Sequence, residues 1–348
     1  MSFKVTVRPS GSQFEVGDDE FILEAALRQG VVLPYGCRDG ACGSCKARVL
    51  EGRIEQGPHS PKALAADEAA RGYALLCCSH ALSDLAVECR VVEAAGDIPI
   101  RRMPCRIASI ERPAPDVAVL VLQLPANERL QYLAGQYIEL LLKDGSRRSY
   151  SMAGAPHLAD ARLELHVRHM PGGRFTDALF GASLPAVAVR DILRFEGPMG
   201  TFFLREDSER PIVFVASGTG FAPVKAMVEH ARHAGIGRPM TLYWGGRRPR
   251  DLYMNALAEQ WAHEIAGFRY VPVVSDALPE DDWQGRTGFV HRAVMADLPD
   301  LSGHQVYACG APAMVEAARR DFTASCGLPQ AEFFADSFTS AADLALAG

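Results

Sequence analysis

Three cysteines stand close together near the N-terminus, and the residues around them are small. Cys37, Cys42 and Cys45 follow the spacing C-x4-C-x2-C within YGCRDGACGSC. Thiolates bind iron–sulfur clusters, and hydrogen bonds to the cluster sulfurs come from the surrounding protein. Backbone can approach a cluster closely only where side chains are small or φ is positive. The loop residues that meet this need are Gly36, Gly40, Ala41, Gly43 and Ser44. The segment therefore predicts three of four cluster ligands.

The fourth thiolate must come from another part of the chain. Cys77 and Cys78 follow Cys45 after 31 intervening residues, in YALLCCSH. The order C-x4-C-x2-C…C is typical of plant-type ferredoxins with a 2Fe–2S cluster. The later segment resembles their L-x-C element, which favours Cys77 and leaves Cys78 as the alternative. A zinc site is the other interpretation, but structural zinc sites pair two short C-x2-C units.

A second group of residues has the chemistry of a flavin site. In RRSYSMA, Arg148 can bind a phosphate through two hydrogen bonds, Tyr150 can lie against the flavin ring, and Ser151 can reach the ring edge that receives hydride. About twenty residues later, HVRHMPGGRFT is predicted to form a turn and a short helix capped by Thr176, whose N–H groups suit a pyrophosphate. An ordinary turn and cap is the alternative. The other flavin-site residues assigned in this segment are His166, Val167, Arg168, Gly172 and Gly173.

A third group lies in IVFVASGTGFAPVKAMVEHA, which reads as strand, glycine turn and helix. The turn is not G-x-G-x-x-G, and no acidic residue stands about twenty positions later to bind a ribose, so the fingerprint of ordinary dehydrogenases is absent. Pro223 suits the first helical turn. Val224, Met227, Val228 and Ala231 are predicted to form a buried stripe.

The elements that would position these residues fall into three blocks. Residues 1–93 read as a short strand-rich α+β domain with one main helix, and residues 94–103 as a linker containing glycine and prolines. Residues 104–205 contain alternating apolar runs separated by Pro and Gly, which indicates an antiparallel β-barrel. Residues 206–348 alternate strands with helices, which is the β-α-β pattern of a parallel α/β sheet.

Composition narrows the class of protein. The 348 residues are 48% hydrophobic and 22% charged, as expected for a soluble multidomain chain. The net charge of −6 without a basic stripe argues against nucleic-acid binding. Nine cysteines is an odd number, and the chain opens without a signal peptide, so metal or redox chemistry is favoured over disulfides. No apolar run predicts a membrane span. We expect a cytoplasmic monomer.

These residues carry a family resemblance. R-x-Y-S, G-G-x-x-T and GPMGTFFL resemble the flavin domain of the ferredoxin–NADP reductase superfamily. With a plant-type ferredoxin domain first, the whole chain is similar to NADH-dependent reductases that serve oxygenases, phenol or methane hydroxylases, and CDP-6-deoxy-hexulose dehydrases. The resemblance implies a β-grasp ferredoxin fold in the first domain. It also implies FAD rather than FMN, and NADH as the donor with measurable use of NADPH.

The same resemblance assigns residues of the nicotinamide site. The residues implied to face the dinucleotide are Gly218, Thr219, Gly220 and Pro223. Arg247, in YWGGRRPRDLYM, would contact the adenine side, although a solvated arginine is the alternative. Cys309 and Gly310 end what is predicted to be the last sheet strand, with Cys309 beside the nicotinamide. Phe338, in the segment EFFADSF, would cover the flavin, and a tail aromatic packed into ordinary core is the alternative.

Electron counting joins the three domains. Hydride carries two electrons and a 2Fe–2S cluster accepts one, so a flavin must stand between them. The implied function is a reductase that passes electrons from NADH through FAD to the cluster, and on to a separate terminal protein, an oxygenase or a dehydrase. The alternatives are a free-flavin or ferric reductase and a non-catalytic redox sensor.

Overall fold

The computed structural model describes residues 2–93 and 98–339. Part of the predicted linker, residues 94–97, lies outside the described residues. The described chain forms two compact units. The first contains residues 2–93, 98–99, 200–202 and 336–339, and the second contains residues 100–199 and 203–335.

The first unit is built on a mixed five-stranded sheet in the order β2-β1-β7-β3-β5, with β4 and β6 forming a separate two-stranded sheet. Helix α1 buries Ile22, Leu23, Ala25 and Ala26, because these positions share one face of the helix. The elements are β1 Ser2–Arg8, β2 Gln13–Gly17, α1 Ile22–Arg28, β3 Lys46–Glu51, β4 Ile54–Gln56, α2 Ala66–Ala70, β5 Tyr73–Leu75, β6 Ser79–Ala81 and β7 Leu85–Glu88.

The first half of the second unit is a six-stranded antiparallel sheet in the order β11-β10-β13-β8-β9-β12. Its first strand begins at Arg101, inside the predicted linker. A bridge between Met152 and Leu165 joins the chain after β11 to β12, the strand at the other end of the sheet. The elements are β8 Arg101–Ala114, β9 Val117–Gln123, β10 Tyr137–Leu141, β11 Arg147–Ser151, β12 Arg162–Arg168, α3 Arg174–Phe180 and β13 Ile192–Met199.

The second half contains a sheet in the order β17-β16-β15-β14-β18-β19, in which β14 to β18 run parallel. β18 was expected to be the last strand, but β19 follows it at the sheet edge. That expectation was wrong because FFADS, which shows no apolar–polar alternation, still forms a strand that buries Phe333 and Phe334. The elements are β14 Ile212–Ser217, α4 Phe221–His233, β15 Met240–Gly246, α5 Asn255–Glu264, β16 Phe268–Val274, β17 Arg286–Thr287, α6 Val290–Asp297, β18 Gln305–Gly310, α7 Pro312–Ser325 and β19 Phe333–Ser337.

Helix α4 packs its apolar face completely out of solvent. The predicted stripe of Val224, Met227, Val228 and Ala231 is confirmed, since each is 0% exposed. Burying a side chain as large as valine or methionine contributes roughly 1.5–3 kcal/mol. This packing fixes the start of α4, and with it the glycine turn that precedes the helix. No helix in the described part of the chain is both long and apolar enough to cross a membrane.

Candidate functional site

The cysteine loop directs backbone N–H groups toward sulfur. The Cys37 N–H donates to Cys42 Sγ and the Cys42 N–H donates to Cys37 Sγ, each at 3.3 Å. The Ser44 N–H donates to Cys42 Sγ at 3.5 Å. The contact with the Cys37 side chain lowers the pKa of the Cys42 thiol, which favours the thiolate that binds metal. The loop therefore has the donors that a cluster ligand set requires.

The loop also has no room for a larger residue at Gly40. Gly40 has a φ of +79°, and a Cβ there would lie 3.1 Å from both Cys78 Sγ and the Pro58 carbonyl oxygen. A side chain would thus be strained by its backbone angle and crowded by its neighbours. This supports the interpretation that the glycines let the backbone turn tightly around the thiols.

Cys77 and Cys78 face different partners. Contact with the Cys45 side chain raises the pKa of the Cys77 thiol, and the charge of Cys42 raises it further. The Cys78 thiol contacts Cys77, and it accepts a hydrogen bond from Gln56 Nε2 at 3.2 Å. Only Cys77 thus completes a second pair of thiols within the loop. The geometry supports Cys77 as the fourth ligand.

The two thiol pairs, Cys37–Cys42 and Cys45–Cys77, suit a cluster with two irons, because each iron takes two protein ligands. In residues 2–93 and 98–339, no three Cys, His, Asp or Glu side chains converge as ligands of a single metal ion. The two pairs of thiols fit a 2Fe–2S cluster, which when bound supplies a one-electron carrier.

The fourth ligand can be tested by replacing each neighbouring cysteine separately. We expect C77S to lose the visible cluster absorption and to fall from about two irons per chain to nearly none, because two ligands are needed per iron. C78S should keep both signals, since the Cys78 thiol contacts Gln56 rather than the loop cysteines. Absorption and iron content are measured on the purified variants. Cluster loss in C78S alone, or equally in both variants, would contradict the assignment.

The predicted flavin residues lie on the two strands at opposite ends of the antiparallel sheet order, β11 and β12. β11 carries Arg148, Tyr150 and Ser151, and β12 carries His166, Val167 and Arg168. The strands approach where the Met152–Leu165 bridge forms and where the Ala153 N–H donates to the Glu164 carbonyl at 2.8 Å. The Tyr150 ring packs against Phe175 with centroids 5.7 Å apart. Val167 is 0% exposed.

Arg148 differs from the arginines near it. Arg147 pairs with Glu139 and Glu196, and Arg174 pairs with Asp144. Arg148 makes no ion pair within residues 2–93 and 98–339, and its Nη1 donates to the Arg147 carbonyl at 2.7 Å. Its positive charge is therefore not neutralised by a described carboxylate, which suits a phosphate ligand.

The expectation that Thr176 caps the short helix is wrong. The N-cap is Gly173, and Thr176 is the third helical residue, with its hydroxyl donating to the Met170 carbonyl at 2.9 Å. Asp177 accepts the Gly172 N–H at 3.1 Å. A carboxylate of the helix thus already accepts the N–H of Gly172, one of the two turn glycines assigned to the flavin site. The sequence pattern predicted a helix start three residues too late, because threonine and glycine are about equally suited to the N-cap and the pattern alone does not choose between them.

Arg168 extends from the flavin strand to the glycine turn. Its Nε donates to Asp116 at 2.9 Å, and its Nη1 would lie only 2.7 Å from a Cβ on Gly218. Gly218 also has a φ of +52°, and its carbonyl accepts the Trp244 Nε1–H at 3.1 Å. A residue assigned to the flavin site therefore lies directly against the turn assigned to the dinucleotide.

The residues assigned to the nicotinamide meet at one edge of the parallel sheet. A Cβ on Gly220 would lie 2.2 Å from the Cys309 carbonyl oxygen, and a Cβ on Gly310 would lie 2.4 Å from Ser217 Oγ. The ends of β14 and β18 are thus in close contact. Thr219 is buried beside them, and Cys309 is 0% exposed. Parallel sheets bind ligands at this carboxyl edge.

Three further predicted residues lie apart from that contact. Pro223 is the third residue of α4 and is buried. Arg247 is exposed and follows β15. Phe338 is half-buried and follows β19 directly.

A charged group centred on the buried Lys225 was not predicted from the sequence. Its Nζ lies 3.2 Å from Glu164 Oε1 and 2.9 Å from Glu229 Oε1, and it donates to the Ala153 carbonyl at 3.4 Å. Burial opposes ionisation of Glu164, but the His166 hydrogen bond and the Lys225 charge outweigh it and lower the Glu164 pKa to about 2. The sequence feature that could have indicated this group is a lysine on the apolar face of a predicted helix.

The group continues through His166 to Tyr253. His166 Nε2 lies 2.8 Å from Glu164 Oε1, and Nδ1 lies 2.7 Å from the Tyr253 hydroxyl. Burial lowers the His166 pKa, so the ring is neutral. Nε2 then donates to Glu164, and Nδ1 accepts from Tyr253. Lys225 and Tyr253 lie in the third sequence block, whereas Glu164 and His166 lie in the second. The contacts between these side chains therefore connect the second block to the third.

Comparison with known proteins identifies all three blocks. Family models match residues 5–82 as a 2Fe-2S iron-sulfur cluster binding domain, residues 104–204 as an oxidoreductase FAD-binding domain, and residues 214–320 as an oxidoreductase NAD-binding domain. The chain is 43% identical over 338 residues to the CDP-6-deoxy-L-threo-D-glycero-4-hexulose-3-dehydrase reductase of Yersinia pseudotuberculosis, covering 97% of this chain and 99% of that protein. The chain belongs to the iron–sulfur flavoprotein reductases.

Other members of the reductase family match over nearly their full length. Reductase component 2 of a terephthalate 1,2-dioxygenase from Comamonas is 34% identical and covers 98% of each chain. The crystal structure of a cytochrome P450 reductase from Amycolatopsis superposes with a TM-score of 0.75 at 35% identity, covering 97% of this chain and 99% of that one. The predicted family, the oxidoreductase class and the cofactor set of a 2Fe–2S cluster, FAD and a nicotinamide dinucleotide are confirmed.

Proposed function

We propose that this reductase oxidises NADH, reduces bound FAD, and passes single electrons through its 2Fe–2S cluster to a separate protein. The contact between Arg168 and Gly218 is the observation that supports this most directly. It brings the strand assigned to FAD against the turn assigned to the dinucleotide, as hydride transfer between the two requires. When bound, FAD supplies a carrier that takes two electrons and releases them one at a time.

The described residues have distinct roles in this proposal. Arg148 binds a phosphate of FAD, Tyr150 lies against its ring, and Ser151 offers a hydroxyl at the ring edge. Cys309 lies beside the nicotinamide, and Phe338 covers the flavin. Each role agrees with the residue's type and with its place on β11, on β18 or after β19.

The remaining residues hold the cofactors. The flavin is also held by His166, Val167, Arg168, Gly172, Gly173 and Thr176; the nucleotide by Gly218, Thr219, Gly220, Pro223, Arg247 and Gly310; and the cluster by Cys37, Cys42, Cys45 and Cys77. The assignment of Thr176 now depends on its backbone, because its hydroxyl donates to the Met170 carbonyl.

We also propose finer limits for the domains. A β-grasp ferredoxin domain comprises residues 1–93, an antiparallel β-barrel comprises residues 104–205, and a parallel α/β domain comprises residues 206–348. The mixed five-stranded sheet, the Met152–Leu165 bridge and the parallel strands support these three folds respectively. A monomer in the cytoplasm, where NADH is supplied, is the setting we propose.

The electron acceptor is proposed from the relatives. Their names describe reductases of a hexulose dehydrase, a terephthalate dioxygenase and a phenol 2-monooxygenase. We infer that the acceptor of this chain is likewise a separate oxygenase or dehydrase. Isolation of the native complex, or inspection of the neighbouring genes, identifies which of the two it is.

Anaerobic reduction tests the function. We expect excess NADH to bleach the flavin absorption and to produce the electron paramagnetic resonance signal of a reduced 2Fe–2S cluster, for a total uptake of about three electrons per chain. Stopped-flow absorption and frozen samples measure both steps. Bleached flavin with a cluster that stays oxidised would contradict the electron path, and absence of both changes would contradict NADH oxidation.

A further inference from the structure

Two adjacent arginines follow β15 at the carboxyl edge of the parallel sheet, but their surroundings differ. Their backbone N–H groups both donate to Asp251 Oδ2, at 2.8 Å from Arg247 and 3.1 Å from Arg248. The Arg247 carbonyl accepts the Asp276 N–H at 2.9 Å. The backbone here is thus fixed by the loops after β15 and β16. Any difference between the arginines lies in their side chains.

Arg248 is held by a carboxylate, and Arg247 is not. Arg248 Nε donates to Asp281 Oδ2 at 2.7 Å, and its Nη2 donates to Asp281 Oδ1 at 3.0 Å. Glu280 lies 3.6 Å from the same guanidinium. Within the described chain, residues 2–93 and 98–339, no ion pair forms at the Arg247 side chain, which is exposed. Asp281 therefore already accepts the two parallel hydrogen bonds that the Arg248 guanidinium would otherwise donate to a phosphate.

The Asp281 side chain is itself fixed by a hydrogen bond from the backbone of its loop. Its Oδ2 accepts the Leu278 N–H at 2.9 Å, in the loop between β16 and β17. The backbone of this loop therefore fixes the Asp281 carboxylate, and the carboxylate in turn fixes the Arg248 guanidinium. Dehydrogenases carry their ribose-binding acid about twenty residues after the glycine turn. Asp281 lies much later in the chain, so the dehydrogenase motif does not include it.

NADPH differs from NADH only by a phosphate on the adenosine 2′ oxygen. In doubly wound sheets an arginine near the end of the second strand of the fold can accommodate that phosphate. β15 is the neighbour of β14, the strand that leads into the glycine turn. Arg248 thus has the position and chemistry to bind a 2′-phosphate, but its fork is closed by Asp281.

We propose that Asp281 sets the preference for NADH by withholding Arg248 from the 2′-phosphate of NADPH and by adding its own negative charge nearby. The proposal rests on the proposed oxidation of NADH. A 2′-hydroxyl leaves the Arg248–Asp281 pair intact. A 2′-phosphate must either break the pair or lie against Asp281 and Glu280, and both alternatives weaken its binding.

The experiment compares kcat/KM for NADH and NADPH, with ferricyanide as acceptor, across the wild type and four variants. We expect the wild type to prefer NADH. D281N should raise kcat/KM for NADPH about tenfold, as one gained charge-assisted hydrogen bond implies, while the value for NADH changes little. The gain should vanish in D281N/R248A, and R248A alone should show none. E280Q is the matched control, because it removes one negative charge while the two-point pair stays closed.

Binding without turnover separates this proposal from the proposed function. Calorimetry with adenosine 2′,5′-bisphosphate and with AMP should show a gain in D281N for the bisphosphate alone. A wild type that oxidises neither nucleotide would refute the proposed function, and the calorimetry would still decide the role of Asp281. No gain in D281N, an equal gain in D281N/R248A, an equal gain in E280Q, or a wild type that prefers NADPH would each overturn the inference.

Discussion

The variant C42S should reduce cytochrome c poorly and ferricyanide almost normally when NADH is the donor. Ferricyanide can take electrons from a flavin directly, whereas delivery to a protein acceptor needs the one-electron carrier held by the cysteine loop. We expect the ratio of the two activities to fall by about tenfold or more, because no single-electron carrier follows the flavin in this variant. Cys42 is the best position to change, since its Sγ accepts N–H groups from both Cys37 and Ser44.

The ratio distinguishes loss of the carrier from loss of the fold, because unfolding lowers both activities together. C89S is the matched control. Cys89 lies in the same unit as the loop, and its N–H donates to the Arg8 carbonyl at 3.0 Å, so its backbone contact survives the substitution. C89S should keep the wild-type ratio. If C42S lacks iron and cluster absorption and yet keeps the wild-type ratio, the serial electron path is wrong.

Three of the four proposed cluster ligands could be predicted from the sequence because they lie at short spacing. Cys37, Cys42 and Cys45 lie within one loop, and local backbone geometry alone brings their thiols together. The choice between Cys77 and Cys78 was harder, since it depends on which thiol turns toward Cys45. That orientation is set by the turn after β5 and by the hydrogen bond from Gln56 to Cys78.

The residues that act between strands were less accessible to sequence analysis. The glycine turn was found, but the Lys225–Glu164–His166 contacts were not, because Lys225 is 61 positions from Glu164 and no local pattern pairs them. The same reason hid Asp281, which is 33 positions from Arg248. The Thr176 cap failed for a different reason, since several residues near a helix start have capping chemistry and only the backbone selects one.

The second large effect is expected from K225M, which removes the positive charge between two half-buried carboxylates. Lys225 touches Ala153, two residues after Ser151, and belongs to the helix that begins at the glycine turn. Its loss should shift the flavin strand relative to that turn. A misplacement of about 1 Å can reduce a rate about a hundredfold. We therefore expect flavin reduction by NADH to slow by roughly ten- to a hundredfold, with a smaller change in NADH affinity.

The pH dependence of K225M separates this positioning role from general damage. Lys225 lowers the pKa of Glu164, and burial raises the pKa of Glu229. Without the lysine the two carboxylates repel each other, so one of them should bind a proton as the pH falls and relieve the repulsion. The defect in stopped-flow flavin reduction should be largest at high pH and shrink as the pH falls, because protonation of one carboxyl relieves the repulsion. K225R should recover most of the rate at all pH values. A defect of equal size at every pH, or one that K225R leaves unchanged, would show that Lys225 does not act through its charge.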